Sequence, residues 1–190
     1  MIKGGANGSP PTGAGPRVLS PERLTRQHDV STFRNGKHPS LDVWLRDRAQ
    51  ASESLSARTY VVCDAEAPLR VVGYYAISTA MEQRTALPNA RLRRGMPDQV
   101  PLLLLGRLAI DQAFQGSGLG SALLADAMRR CIAAADVAGA RGIVAHALDD
   151  DAVRFYQHRG FLPLTAGTRT MFLPMETARR LIGLAPAPES

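Results

Sequence analysis

Gln115-Gly-Ser-Gly-Leu-Gly120 comes shortly after the apolar run Leu102 to Asp111 and leads into a breaker-poor stretch, Ser121 to Ala135, that stops near Gly139. The pattern reads as strand, glycine-rich turn and long helix. Such a turn leaves backbone N–H groups unpaired at a helix start, where the helix dipole also favours negative charge. A side chain on it would hold a pyrophosphate away from those donors, which is the reason for glycine. A phosphate-bearing ligand is expected there. Two familiar phosphate loops are excluded. No G-x-x-x-x-G-K-[ST] occurs, and a dinucleotide fingerprint belongs on the first strand of a βαβ repeat, whereas this turn lies past mid-chain.

A second segment, Asp149 to Phe161, carries Ala152, Phe155, Tyr156, Gly160 and Phe161. Its aspartates suit an N-cap and first helical turn, and Gly160 suits the C′ position. Gln115, Gly118 and Gly120, as Q-x-x-G-x-G, resemble the acyl-CoA pyrophosphate loop of the GNAT N-acetyltransferases. The later segment resembles their closing helix and strand, A-x-x-F-Y-x-x-x-G-F. The resemblance implies an α/β (α+β) GNAT fold, a mixed central β-sheet flanked by helices, using acetyl-CoA. It places Gln115, Gly116, Ser117, Gly118, Leu119 and Gly120 around the pyrophosphate. Leu108 and Ile110 would pair their backbone with the pantetheine, and an N–H near Leu108 or Ala109 would meet the oxyanion.

Leu41 to Ala49 (L-D-x-W-L-R-x-R-A), Thr59 to Val62, Val72 to Tyr75 and Leu104 to Asp111 further resemble the bacterial toxins that acetylate aminoacyl-tRNA and block translation. That resemblance spans about Val18 to Ile182 and implies an antitoxin partner. Phe33-Arg-Asn-Gly36 departs from it, standing where such toxins often carry Asp-Cys after the Phe.

Acetyl transfer from a thioester needs a neutral amine, oxyanion stabilisation and a proton for the leaving thiolate. Tyr156 is the expected donor, with Phe155 beside it as the better core candidate. A lysine amine, with a pKa of about 10.4, needs a strong base, whereas an α-amine at about 7.7–8.0 is already partly neutral. The central strand carries Arg107 and Asp111 but no Glu. Glu82 reads as a surface acid, and His146 and His158 are possible proton relays. The missing base, together with Arg91, Arg93 and Arg94 near Arg84 and Arg107, favours an α-amine on a polyanion such as charged tRNA. Alternatives are a small amine, a peptide or protein amine, or a CoA-binding regulator without turnover. A homodimer is expected because joining two basic faces enlarges the phosphate footprint.

Composition fits these roles. The 190 residues carry a net charge of +6, and of the 23 basic residues only Lys3 and Lys37 are lysine. Arginine's planar fork suits phosphate, although a GC-rich genome would give the same bias. No apolar run approaches the length of about 18 residues that reads as a membrane helix. Residues 1–16 and 183–190 read as flexible tails around a domain at 17–182. Cys63 and Cys131 read as buried thiols of a cytoplasmic protein, and no metal site is expected.

The positioning elements follow from periodicity. Val18-Leu19 is a short strand, Pro21 starts a turn or helix, and Ser40 caps a helix burying Leu41, Trp44, Leu45 and Ala49. Thr59 to Cys63 and Val71 to Ser78 form a hairpin around Asp64 to Pro68. After the central strand and its helix come strand Gly142 to Ala147, a short helix, strands Phe161 to Leu164 and Thr170 to Leu173, and a terminal helix from about Met175 to Ile182.

Overall fold

A computed structural model describes residues 17–53 and 55–184; the expected tails at 1–16 and from 185 on lie outside the described residues. In chain order the elements are β1 (Glu22–Arg23), α1 (Pro39–Asp47), α2 (Ala49–Glu53), β2 (Arg58–Cys63), β3 (Val71–Gln83), α3 (Ala90–Arg93), β4 (Gln99–Ile110), α4 (Leu119–Ala138), β5 (Gly142–His146), α5 (Asp150–Gln157), β6 (Leu162–Pro163), β7 (Thr170–Pro174) and α6 (Met175–Leu181). The strands form one seven-stranded sheet in the order β1-β2-β3-β4-β5-β7-β6. Among the strands of the described residues only the β4–β5 pair is parallel.

Alternation of side chains across the pleat gives the sheet two apolar faces. Val62, Val72, Tyr75, Leu103 and Leu105 pack under α4 residues Leu123, Leu124, Met128 and Ile132. Val61, Cys63, Val71 and Tyr74 pack under Phe33, Leu41, Leu45 and Ala49 on the other face. The α1 stripe is therefore core, with Trp44 half-buried and stacked on Tyr74 at 5.8 Å between centroids. Cys63 and Cys131 are buried free thiols.

Several boundaries differ from the periodicity reading. Val18 makes a single bridge to Asp64, and the first strand begins only at Glu22. Pro21, which lacks an N–H, interrupts that ladder and starts no helix. His38 rather than Ser40 is the N-cap of α1, because Pro39 takes the first helical position, where its missing N–H costs nothing. β3 runs on to Gln83 because β4 pairs with it along its whole length. β6 shrinks to two residues ending at Pro163. Gly183 and Leu184 bond back to Arg180 O and Arg179 O at 3.2 and 2.9 Å, so they close α6 rather than start a tail.

Candidate active site

The central strand opens at one residue. Ala76 pairs with Arg107 and Ile77 with Leu105, so Gly106 is the extra residue of a β-bulge. β4 pairs with β5 only from Leu103 to Leu105, and beyond the bulge the two strands part. Asp111 N–H bonds Val72 O at 2.8 Å. By antiparallel alternation Ala109 then also faces β3, while Leu108 and Ile110 turn N–H and C=O into the gap. Ile110 O is taken there by Asn35 Nδ2 at 3.2 Å and Gln115 Nε2 at 3.0 Å. Leu108 keeps both backbone groups free among the described residues. The structure thus separates two residues that sequence reasoning treated together: Leu108 offers an N–H to the gap and Ala109 does not.

At the end of the gap lies the glycine turn. Gly116 and Gly118 have φ of +75° and +86°, and a Cβ at either position would meet nothing within 4 Å. Among the described residues no acceptor binds the N–H groups of residues 115 to 120. Six backbone donors at the start of the 20-residue α4 therefore have no acceptor, the condition under which a helix start takes an anion. The side chains around them do other work. Gln115 Nε2 is spent on Asn35 O (2.8 Å) and Ile110 O, which ties the turn to β4. Ser117 Oγ bonds back to Phe114 O at 2.6 Å, and Leu119 is buried in the core. Arg159, not singled out in the sequence, joins Phe155 O and Ser121 Oγ and lies 3.8 Å from the Phe155 ring centroid. It sets a cation at the rim of the turn.

α5 reverses one expectation. Tyr156 is buried and belongs to the core, whereas Phe155 is only partly buried. The helix is short, with Ala152, Val153, Phe155 and Tyr156 on its covered side and bonds that close both of its ends. Asp149 accepts from Ala152 N at 2.7 Å. Gly160, at φ +83°, lets Phe161 N reach Tyr156 O at 3.2 Å and Gly160 N reach Gln157 O at 3.0 Å, a Schellman closure. The Tyr156 ring sits 5.3 and 5.1 Å from Phe155 and Phe161. Its hydroxyl has no hydrogen-bond partner among the described residues, and burial pushes its pKa well up. The phenol is protonated at neutral pH, as an ordinary tyrosine is, and its proton is unspent.

Two neighbouring cavities meet at this phenol. One, of about 380 Å³, runs from Gln115 and Gly120 along Ile110 and Leu108. The other, of about 160 Å³, is lined by Gly106, Arg107, His146 and Leu148. Asn35, His38, Leu108, Ala152 and Tyr156 line both. His38 was missed in the sequence, where no local pattern marks it, and Asn35 falls in Phe33-Arg-Asn-Gly36, the segment that departs from the toxin pattern. His38 Nε2 lies 2.8 Å from Asp149 Oδ2, and Lys37 Nζ lies 2.6 and 2.5 Å from Asp149 and Asp151. Lys37 is the main reason that Asp149 is held far below the usual carboxylate range, and Asp151 is lowered in the same way.

Other candidates fall elsewhere. Arg91, Arg93 and Arg94 lie on or just after α3, at the far end of β4. Arg91 is 3.8 Å from Glu176, and Arg93 Nε bonds Leu87 O. Val100 and Leu108 are eight residues apart, about 26 Å along an extended strand, so one protomer does not bring this cluster to Tyr156. Glu82 pairs with Val100 at that same end. His158 Nδ1 is bound to Arg154 O, while His146 lines the smaller cavity and touches Thr170. Glu22, His28 and Cys63 come together among the described residues. Thr25 N–H donates to His28 Nδ1 at 3.0 Å, which leaves Nε2 to carry the proton toward Glu22. No helix among the described residues is long and apolar enough to cross a membrane.

Comparisons with known proteins fit this geometry. A family model described as an acetyltransferase (GNAT) domain matches residues 56–163. A tRNA-acetylating toxin of Mycobacterium tuberculosis (strain ATCC 25618 / H37Rv) is 44% identical over 165 residues, 86% of this chain and 96% of the relative. AtaT complexed with acetyl-methionyl-tRNAfMet superposes with a TM-score of 0.80 at 29% identity, covering 87% of this chain and 99% of AtaT. A mutant of AtaT bound to the C-terminus of the antitoxin AtaR and acetyl-CoA gives 0.73 at 27% identity, covering 88% and 99%.

Proposed function

We propose that this chain, which belongs to the GNAT acetyltransferase family, transfers the acetyl group of acetyl-CoA to the α-amine of an aminoacyl-tRNA. The observation that carries the reading is the pair of cavities meeting at Tyr156 and Leu108, with the unpaired N–H groups of residues 115 to 120 at one end. The pyrophosphate of the substrate lies on the amides of Gly116, Ser117, Gly118, Leu119 and Gly120, and Gln115 holds the turn in place. The pantetheine pairs with the free backbone of Leu108 and the N–H of Ile110, whose C=O is already held by Asn35 and Gln115, while Ala109 anchors the strand to β3. Leu108 N–H meets the oxyanion, and the protonated phenol of Tyr156 donates to the departing thiolate. The charged 3′ end enters through the smaller cavity, past Arg107.

Acetylation of charged tRNA makes the protein a toxin that blocks translation in the cytoplasm, held in check by an antitoxin. The likeness to AtaT bound to AtaR supports that partner. Arg91, Arg93 and Arg94 contact the tRNA backbone away from the 3′ end. A homodimer would present two such patches to one nucleic acid. The test is to incubate the protein with labelled acetyl-CoA and total charged tRNA, then deacylate with mild alkali. The expected result is labelled N-acetyl-amino acid; label that stays on protein or small amines overturns the reading.

A further inference from the structure

We propose that His38 is the general base that deprotonates the substrate's α-ammonium, an inference that rests on the acetyl-transfer reading above. Five residues line both cavities, and of these only Tyr156 and His38 can exchange protons. The two stand where the thioester from one cavity meets the amine from the other. His38 Nε2 is engaged by Asp149 Oδ2 at 2.8 Å, and its Nδ1 has no partner among the described residues. A carboxylate behind one ring nitrogen fixes the tautomer and stabilises the imidazolium that forms at the other. Asp149 is itself held by the cap bond to Ala152 N and by Lys37, so the pair sits on a rigid helix start. His146 shares one cavity but no carboxylate. The charged and titratable groups facing His38 are Asp149 and Tyr156 from α5, Lys37 beside it, Asp151 beyond Lys37, Arg107 from β4 and His146 from β5.

His38 Nδ1 takes a proton from the α-ammonium, directly or through one water. The freed nitrogen lone pair forms the C–N bond. The C–S bond breaks with its electron pair on sulfur, and the Tyr156 proton goes to that sulfur. The amide nitrogen loses its second proton to restore the phenol, and His38 releases its own to solvent.

The experiment compares wild type with His38→Gln on charged tRNA at about pH 6.5 and about pH 8.5, in short incubations. A lost base costs on the order of 10²-fold, but only while the amine is charged. An α-amine near 7.7–8.0 deprotonates itself at the higher pH. The expected result is a large kcat/KM defect at the lower pH that shrinks to a few-fold at the higher, with acetyl-CoA affinity unchanged. Imidazole should restore His38→Ala at the lower pH. A defect equal at both pH values, or none, overturns the assignment. A wild-type enzyme that leaves charged tRNA unlabelled overturns the tRNA reading instead, and the same comparison on a peptide α-amine then decides His38.

Discussion

Tyr156→Phe removes one oxygen and nothing else. The ring contacts with Phe155 and Phe161, at 5.3 and 5.1 Å, survive, and the hydroxyl forfeits no hydrogen bond among the described residues. That hydroxyl opens onto the two cavities, so its removal leaves no partner orphaned in the packed core. The variant should therefore match wild type in thermal stability and bind acetyl-CoA as well. Loss of a general acid costs about 10²–10⁴ in rate, about 2.7 kcal/mol of barrier at the lower bound. The assay is release of free CoA thiol on charged tRNA under saturating acetyl-CoA, so that kcat is read separately from binding. A variant of full kcat refutes the phenol's role. A variant that unfolds several degrees early refutes the claim that its hydroxyl is unspent.

Replacing Arg91, Arg93 and Arg94 by Ala should weaken tRNA binding uniformly across sequences. It should also flatten the dependence of log K on log salt by roughly 0.7–0.9 for each phosphate the arginines no longer neutralise, measured by filter binding; an unchanged slope removes the patch from the interface. Gly142→Ala should abolish folding in soluble expression trials, because its Cβ would collide with the Phe172 ring and stand 2.5 Å from Leu173 O. Asp149→Ala removes the α5 cap and should cost about 1 kcal/mol, read by chemical denaturation near neutral pH. Because the native Asp149 carboxyl lies below its unfolded value, its contribution is present above that value and fades as pH falls from about 4 through the native pKa. Wild type and Asp149→Ala should therefore converge in acid, and a gap constant down to about pH 2 contradicts the pairing.

The glycine turn between strand and helix was legible because its information is local: three glycines, an apolar strand before and a breaker-poor helix after. The hairpin and the α1 core stripe were legible for the same reason, through period. His38 was not, because its partner Asp149 lies 111 residues away and only the fold joins them. Phe155 and Tyr156 were exchanged because two adjacent aromatics on a helix of eight residues give no phase. Tyr156 lies one turn after Ala152 on the covered side, and Phe155 at the edge of that side, next to Gly120. The distance of Arg91, Arg93 and Arg94 from the phenol likewise needed the strand's direction, since proximity in sequence to Leu102 hid their position at its opposite end.

Gly106 also marks where the alternation of the strand's side chains changes phase. Before it, odd-numbered Leu103 and Leu105 lie beneath α4; after it, even-numbered Leu108 and Ile110 do, and Ala109 looks to α1. Deleting that one glycine would leave Leu108, Ala109 and Ile110 opposite Tyr75, Tyr74 and Gly73 and on the same faces as before, but would remove the bulge past which β4 and β5 part. The two strands would then stay paired past Leu105, and the gap would lose its free donor although no residue named in the chemistry had changed. Strand length at this point is therefore as much a determinant of activity as any side chain, and evolution can substitute along β4 far more freely than it can insert or delete.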